Sequence, residues 1–201
     1  RAEETIVSSN TSGIPINKMI EGRSENFCKY FCGTHFFNPP RYLKLLEIIP
    51  SEKTDDEIIS FLTTYGEKFL GKTTVVCKDT PAFIANRIGI AGIASLFKVS
   101  VELNLSVEEI DVLTGPIIGR PKSATFRTCD LVGLDTLNSV ARGVYDNCPN
   151  DEQRNIFNLP SFIGKMLDKN WLGDKTKQGF YKKDRDSKGK RKILALDLKE
   201  L

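Results

Sequence analysis

The chain has 201 residues, with 29 Lys and Arg against 26 Asp and Glu and a formal net charge of +3. With 40% hydrophobic and 27% charged residues it is neither disordered nor fibrous by composition, and the near balance of charge argues against a strongly basic nucleic-acid binder. No stretch approaches the roughly 18 apolar residues that span a bilayer, and five irregularly spaced cysteines with no secretory h-region ahead of them point to a reducing, cytoplasmic setting (the mitochondrial matrix in a eukaryote).

In chain order, Thr5-Ile6-Val7 is a short β-favouring run that ends at Ser8-Ser9-Asn10. Ile16, Met19 and Ile20 recur at helical spacing, so a short helix is expected between Ile14 and Gly22. Thr34 to Phe37 reads as a strand stopped by Asn38-Pro39-Pro40, because proline lacks a donor and restricts its predecessor. Leu43 to Ile49 reads as the next strand. From Thr54 a helix is expected, with Thr54 and Glu57 as a capping box and an apolar stripe from Ile58 to Phe69. Gly71 stops it, and Thr73 to Cys77 is a further strand.

After Asp79-Thr80-Pro81 the character changes. A polar cap followed by proline starts a helix that runs to about Leu103, apolar on nearly every side. Ser106 and Glu109 form another capping box, for a helix to Leu113. Leu131 to Tyr145 and Pro160 to Asn170 complete the helices, and the charged stretch Asp184 to Lys192 reads as a linker or tail. The boundary therefore falls near residue 80, between an α/β part and a mostly helical part.

The single histidine, His35, is the candidate for proton transfer near neutral pH. Glu47 lies in the apolar run Leu43 to Ile49, an uncommon place for a carboxylate, because burying an unpaired charge is costly. If the two strands are neighbours, Glu47 accepts a hydrogen bond from one imidazole nitrogen and leaves the other free as acid or base. A satisfied core histidine with an edge-strand charge is the other reading, and spacing alone leaves both open. Ser8 to Gly13 offers small hydroxyls after a strand, for capping or for a substrate oxygen. Asn86, one turn into the long helix, holds a carbonyl or lies on a solvated face. Gly119 to Thr125 is a basic turn. Cys28 and Cys32 have no further Cys/His pair, so no zinc site is expected. No GxGxxG, Walker A or GxSxG pattern occurs.

Taken together, SSNTSG, GTHFFNPP with LKLLEIIP, KDTPAFIANR, VGLDT and KTKQGFYKK, in this order over about residues 2 to 183, resemble the 3-hydroxyacyl-CoA dehydrogenase family. The variants EGRS, RYLKLLEIIP and GRPKSATFRT are similar to members in which an enoyl-CoA hydratase domain follows. The resemblance implies that His35 exchanges the proton of the substrate 3-hydroxyl while hydride leaves for NAD, with Glu47 as its partner. It places Ser12 on the substrate oxygen and near the cofactor, Asn86 on the reacting end of the substrate, and Asn38 and Lys175 near NAD. The implied activity is oxidation of (S)-3-hydroxyacyl-CoA in fatty-acid β-oxidation. The implied fold is α+β, the C-terminal half of a Rossmann-type domain (1–79) followed by an all-helical dimerisation domain (80–185) and a tail or linker (186–201).

The Gly-rich fingerprint that grips the cofactor pyrophosphate in that family is missing from the sequence. A start at Arg1 and not Met then reads as a piece of a longer protein, inactive by itself. A dimerisation or scaffold segment of a multifunctional enzyme, and a related hydroxy-acid dehydrogenase, are the alternatives.

Overall fold

A computed structural model describes residues 2–201. Arg1, the first residue of the expected 1–79 segment, lies outside the described residues. The chain divides into two compact units, one up to Arg87 and one from Ile88 to Leu201.

The first unit is a four-stranded sheet with helices. Its strands are β1 (Val7–Ser9), β2 (Phe31–Phe36), β3 (Leu45–Pro50) and β4 (Thr73–Val76), in that spatial order. β1 and β2 are parallel, β2 and β3 antiparallel, and β3 and β4 parallel. Helices α1 (Ile16–Ile20), α2 (Glu25–Lys29) and α3 (Asp56–Lys68) connect them, and α4 (Ala85–Glu102) carries the chain into the second unit.

Alternation along the strands separates two packed faces. Phe31 and Ile49 project to one side and pack with Ile16, Ile20, Cys28, Cys77 and Phe83. Cys32, Leu46 and Ile48 project to the other, against Ile59 and Leu62 of α3. The Asp79 carboxylate fixes the start of α1 by accepting from the backbone N–H of Ile16 and of Asn17, each at 2.8 Å.

The second unit holds α5 (Val107–Leu113), α6 (Phe126–Val132), α7 (Leu134–Asn147) and α8 (Ser161–Asp168), then a hairpin of β5 (Tyr181–Arg185) and β6 (Arg191–Ala195). Phe97, Phe126, Phe162 and Phe180 form its aromatic centre, with ring centroids 4.6 to 6.3 Å apart. Two carboxylates, the half-buried Asp111 and the buried Asp130, tie its loops down. Asp111 accepts from the N–H groups of Thr125, Phe126 and Arg127 and from the Tyr181 hydroxyl. Asp130 accepts from Phe180 N at 2.8 Å and Tyr181 N at 2.9 Å.

The mixed α/β architecture matches expectation, with several local differences. The long helix begins at Ala85, not Pro81, because Ala82 and Phe83 adopt left-handed backbone angles, φ 63° and 49°. The Thr54 hydroxyl donates to Phe31 O, so Asp55 is the cap of α3 in its place. The helix expected from Leu131 to Tyr145 is broken at Gly133, whose φ of 99° no helix accommodates. The second unit is not all-helical: Asp184 to Lys192, read as a linker, belongs to the β5–β6 hairpin, where a run of exposed side chains disguises a strand as a charged tail. The capping box at Ser106 and Glu109 forms as the sequence indicates.

Candidate active site

The antiparallel register of β2 and β3 makes His35 and Glu47 direct cross-strand partners. Both side chains therefore rise from one face of the sheet, close together by construction. His35 is 4% exposed and Glu47 1%. His35 Nδ1 lies 2.7 Å from Glu47 Oε2. The other oxygen, Oε1, accepts from the N–H of Ile84 at 3.1 Å and of Ala85 at 2.8 Å. On the far side of the ring, Ser12 Oγ lies 3.0 Å from Nε2. The rings of Phe37 and Phe83 meet the imidazole edge-on, at centroid distances of 4.6 and 5.5 Å.

Burial works against the Glu47 charge. The hydrogen bond to His35 and the two N–H groups outweigh it and hold the carboxyl below its usual range. An ionised Glu47 requires the proton on Nδ1, so Nε2 accepts from the Ser12 hydroxyl in the neutral ring. Burial, and then the charge of Glu47, push the neighbouring Cys77 thiol up to about 12, so it stays protonated. The result is an imidazole with a fixed orientation, a carboxylate behind it to stabilise imidazolium, and one nitrogen directed at a hydroxyl.

These groups gather where ligands bind in open α/β sheets. Ser12 follows the carboxyl end of β1, and His35 sits near the carboxyl end of the parallel β2. Of the remaining expected residues, Asn86 is half-buried on the first turn of α4, next to the Ala85 N–H, and Asn38 is exposed just beyond β2. Lys175 lies in the second unit, where its ammonium is paired with Asp135. In the basic turn, Arg120 is occupied with Thr125 Oγ1 at 3.0 Å and the Ala124 carbonyl, while Lys122 lines a cavity of about 920 Å³ beside Arg127 and Tyr181. That cavity contains none of the Ser12–His35–Glu47 set. Cys28 and Cys32 are buried free thiols, and among the described residues no three His, Cys, Asp or Glu side chains form a metal-holding group.

Sequence reasoning missed the Ile84 and Ala85 N–H groups, because a backbone donor leaves no side-chain signature. Its only trace was Pro81, read as the start of a helix. Phe37, Phe83 and Cys77 were visible as residues but not as neighbours of the ring.

Residues 1–80 match the model of the "3-hydroxyacyl-CoA dehydrogenase, NAD binding domain", and residues 83–183 that of the "3-hydroxyacyl-CoA dehydrogenase, C-terminal domain". A probable 3-hydroxyacyl-CoA dehydrogenase of Bacillus subtilis is 56% identical over 184 residues, 92% of this chain and 23% of that protein. Another, of Deinococcus radiodurans, is 48% identical over 185 residues, 92% of this chain and 53% of that protein. Among solved structures, (S)-3-hydroxybutyryl-CoA dehydrogenase from Ralstonia eutropha superimposes with a TM-score of 0.78 at 30% identity, over 89% of this chain and 60% of that one. The chain thus spans between about a quarter and about half of the curated relatives' lengths.

Proposed function

The chain belongs to the 3-hydroxyacyl-CoA dehydrogenase family, and from that premise we propose that it supplies the proton-transfer half of the NAD-dependent oxidation of an (S)-3-hydroxyacyl-CoA to the 3-ketoacyl-CoA. The observation that carries this reading is the line Ser12–His35–Glu47, with contacts of 3.0 and 2.7 Å.

The match of residues 1–80 to the family's NAD binding domain indicates NAD as cofactor. The residues present suit one end of it. The exposed Ser12 hydroxyl and the exposed Asn38 amide lie at the carboxyl ends of β1 and β2 and would hold the nicotinamide end, and Lys175 is a further candidate contact. The Gly-rich turn that would take the pyrophosphate is not among these 201 residues. When bound, NAD accepts the hydride from C3.

The chain's own residues do the rest. His35 Nε2 removes the proton from the 3-hydroxyl, and Glu47 stabilises the imidazolium that results. The Ser12 hydroxyl turns from Nε2 to the substrate oxygen, and the Asn86 amide holds the reacting end in register. In the reverse direction the imidazolium returns the proton to the ketone. The Phe37 and Phe83 rings keep water from the ring face and so strengthen the pair.

A role in fatty-acid β-oxidation in the cytoplasm, a homodimer through the helical unit and a fused enoyl-CoA hydratase domain extend this proposal. No helix among the described residues is long and apolar enough to cross a membrane. Exposed Ile88 and Val101 on α4, and Leu103 just beyond it, at 68, 55 and 65%, favour a second copy packed along this helix. The Bacillus relative, of which this chain covers 23%, has ample length for a further domain. The test is NADH formation from 3-hydroxybutyryl-CoA by the full-length protein. His35→Gln is expected to lower turnover about 10³-fold. An unaltered rate in that variant overturns the assignment, whereas the 201 residues alone are expected to turn over no substrate.

A further inference from the structure

The segment between β4 and α4 does more than connect them. Ala82 and Phe83 both have left-handed backbone angles, φ 63° and 49°, and both are 4% exposed. Such angles are disfavoured for residues with a Cβ and persist only where the surroundings hold them. Beyond this pair, the N–H groups of Ile84 and Ala85 converge on a single oxygen of Glu47, at 3.1 and 2.8 Å. The side chain of Phe83 lies on the imidazole, at 5.5 Å between centroids. One turn therefore touches both members of the pair, the carboxylate through its backbone and the ring through its side chain.

We propose that the Ala82–Phe83 turn is the positioning device of this site, with the Ala85 N–H fixing Glu47 as an ionised, non-rotating acceptor for His35 Nδ1 and Phe83 setting the plane of the ring. This rests on the proton-transfer reading above. Two donors on Oε1 leave Oε2 alone for the imidazole, so the carboxylate cannot exchange its oxygens without breaking both bonds. Glu47 faces His35 from β2, the Cys77 thiol from beyond β4, and these two N–H groups from the start of α4. Cys77 stays protonated, so it places no second negative charge beside the carboxylate.

Ala85→Pro in the full-length protein removes a single N–H at the first residue of α4, where proline fits a helix. An ester in place of the Ala85 amide removes the same donor with no change of shape, and stands in should the proline variant fail to fold. Two readouts are taken: the imidazole NMR signals that vanish in His35→Gln, followed across pH, and kcat and KM across pH. With the donor gone, the acidic transition that the imidazole senses from Glu47 is expected to move up by about one to two pH units, the scale of one hydrogen bond to a charged group. The acid limb of kcat is expected to follow it, with KM within about twofold of the parent. Phe83→Leu, which keeps the backbone donors, is expected to leave that transition in place and to lower kcat about tenfold by loosening the ring. Imidazole signals unmoved by loss of the Ala85 donor overturn the inference. A moved transition in an enzyme whose kcat survives His35→Gln upholds the inference and overturns the functional reading instead.

Discussion

Glu47 in the first unit and Asp130 in the second are 1% and 2% exposed, and each accepts two backbone N–H groups from a distant segment, Ile84 and Ala85 for one, Phe180 and Tyr181 for the other. They differ in the third partner. Glu47 has an imidazole nitrogen at 2.7 Å. The cation nearest Asp130 is Arg127, at 3.9 Å, and its guanidinium is already taken by Asp174 through two bonds of 2.6 and 2.7 Å. The outcome is opposite in sign. Glu47 is held below the usual carboxylate range, while burial outweighs the N–H groups at Asp130 and pushes it up to about 6. Two backbone donors suffice to place a buried carboxylate, but a third, close side-chain donor is what holds it ionised.

Activity should separate the two sites most sharply. In Glu47→Gln the amide oxygen can still accept from Ile84 and Ala85, but its NH₂ then faces Nδ1 and imposes the wrong tautomer. Turnover of the full-length protein is expected to fall about 10³- to 10⁴-fold, by analogy with the carboxylate behind a protease histidine. Asp130→Asn is expected to leave turnover within about threefold, since surface-distant structural changes act on stability and not on the pair. A large rate loss in Asp130→Asn would break the distinction.

Stability should respond in the reverse order. Gly179 lies against Asp130, and a Cβ there would stand 2.0 Å from Asp130 Oδ1 and 2.7 Å from Gly173 Cα. Gly179→Ala is expected to cost about 3 kcal/mol, read as a drop in the unfolding midpoint of the second unit by hydrogen exchange.

Titration sharpens the contrast further. Asp130 binds its proton more tightly folded than unfolded, because its value rises from 3.8 to about 6. The second unit is therefore expected to lose stability as pH rises from about 4 to about 6, by up to about 3 kcal/mol, and Asp130→Asn should flatten that slope. Glu47 has the opposite sign. Its contribution is complete above the ordinary carboxylate range and is lost as pH falls through its lower folded value. Protection of the first unit, measured in acid, should show that limb in the parent and not in Glu47→Gln. At the small end lies Glu109, an exposed carboxylate that accepts from Ser106 N at 2.8 Å. Ser106→Ala is expected to cost only about 1 kcal/mol, the scale of a helix cap, by thermal melting.

What the sequence disclosed follows the same division between side chain and backbone. His35 and Glu47 were legible because a lone imidazole and a carboxylate among Leu and Ile are both unusual, and the two strands around them carry clear stops. The Ser106–Glu109 box was legible because both of its bonds involve side chains. The Ile84 and Ala85 donors were not, since any residue but proline supplies an N–H. The left-handed pair before them was hidden for a related reason: Ala and Phe rarely adopt such angles, and Pro81 offered a simpler local explanation. The break at Gly133 was concealed by apolar spacing that runs on through both α6 and α7. The β5–β6 hairpin was concealed by its exposure, which leaves no buried face to set a period-2 pattern.

The antiparallel pairing of β2 with β3 has one more consequence. Because register brings His35 and Glu47 face to face, residues 39–44 between their strands can change without separating them, provided the ladder stays in step and Phe37 keeps its place on the ring. A slip by a single residue sends one of the two to the opposite side of the sheet and severs the pair outright. Residues 39–44 are thus open to variation, while the juxtaposition of the two side chains is protected by hydrogen bonds between main chains.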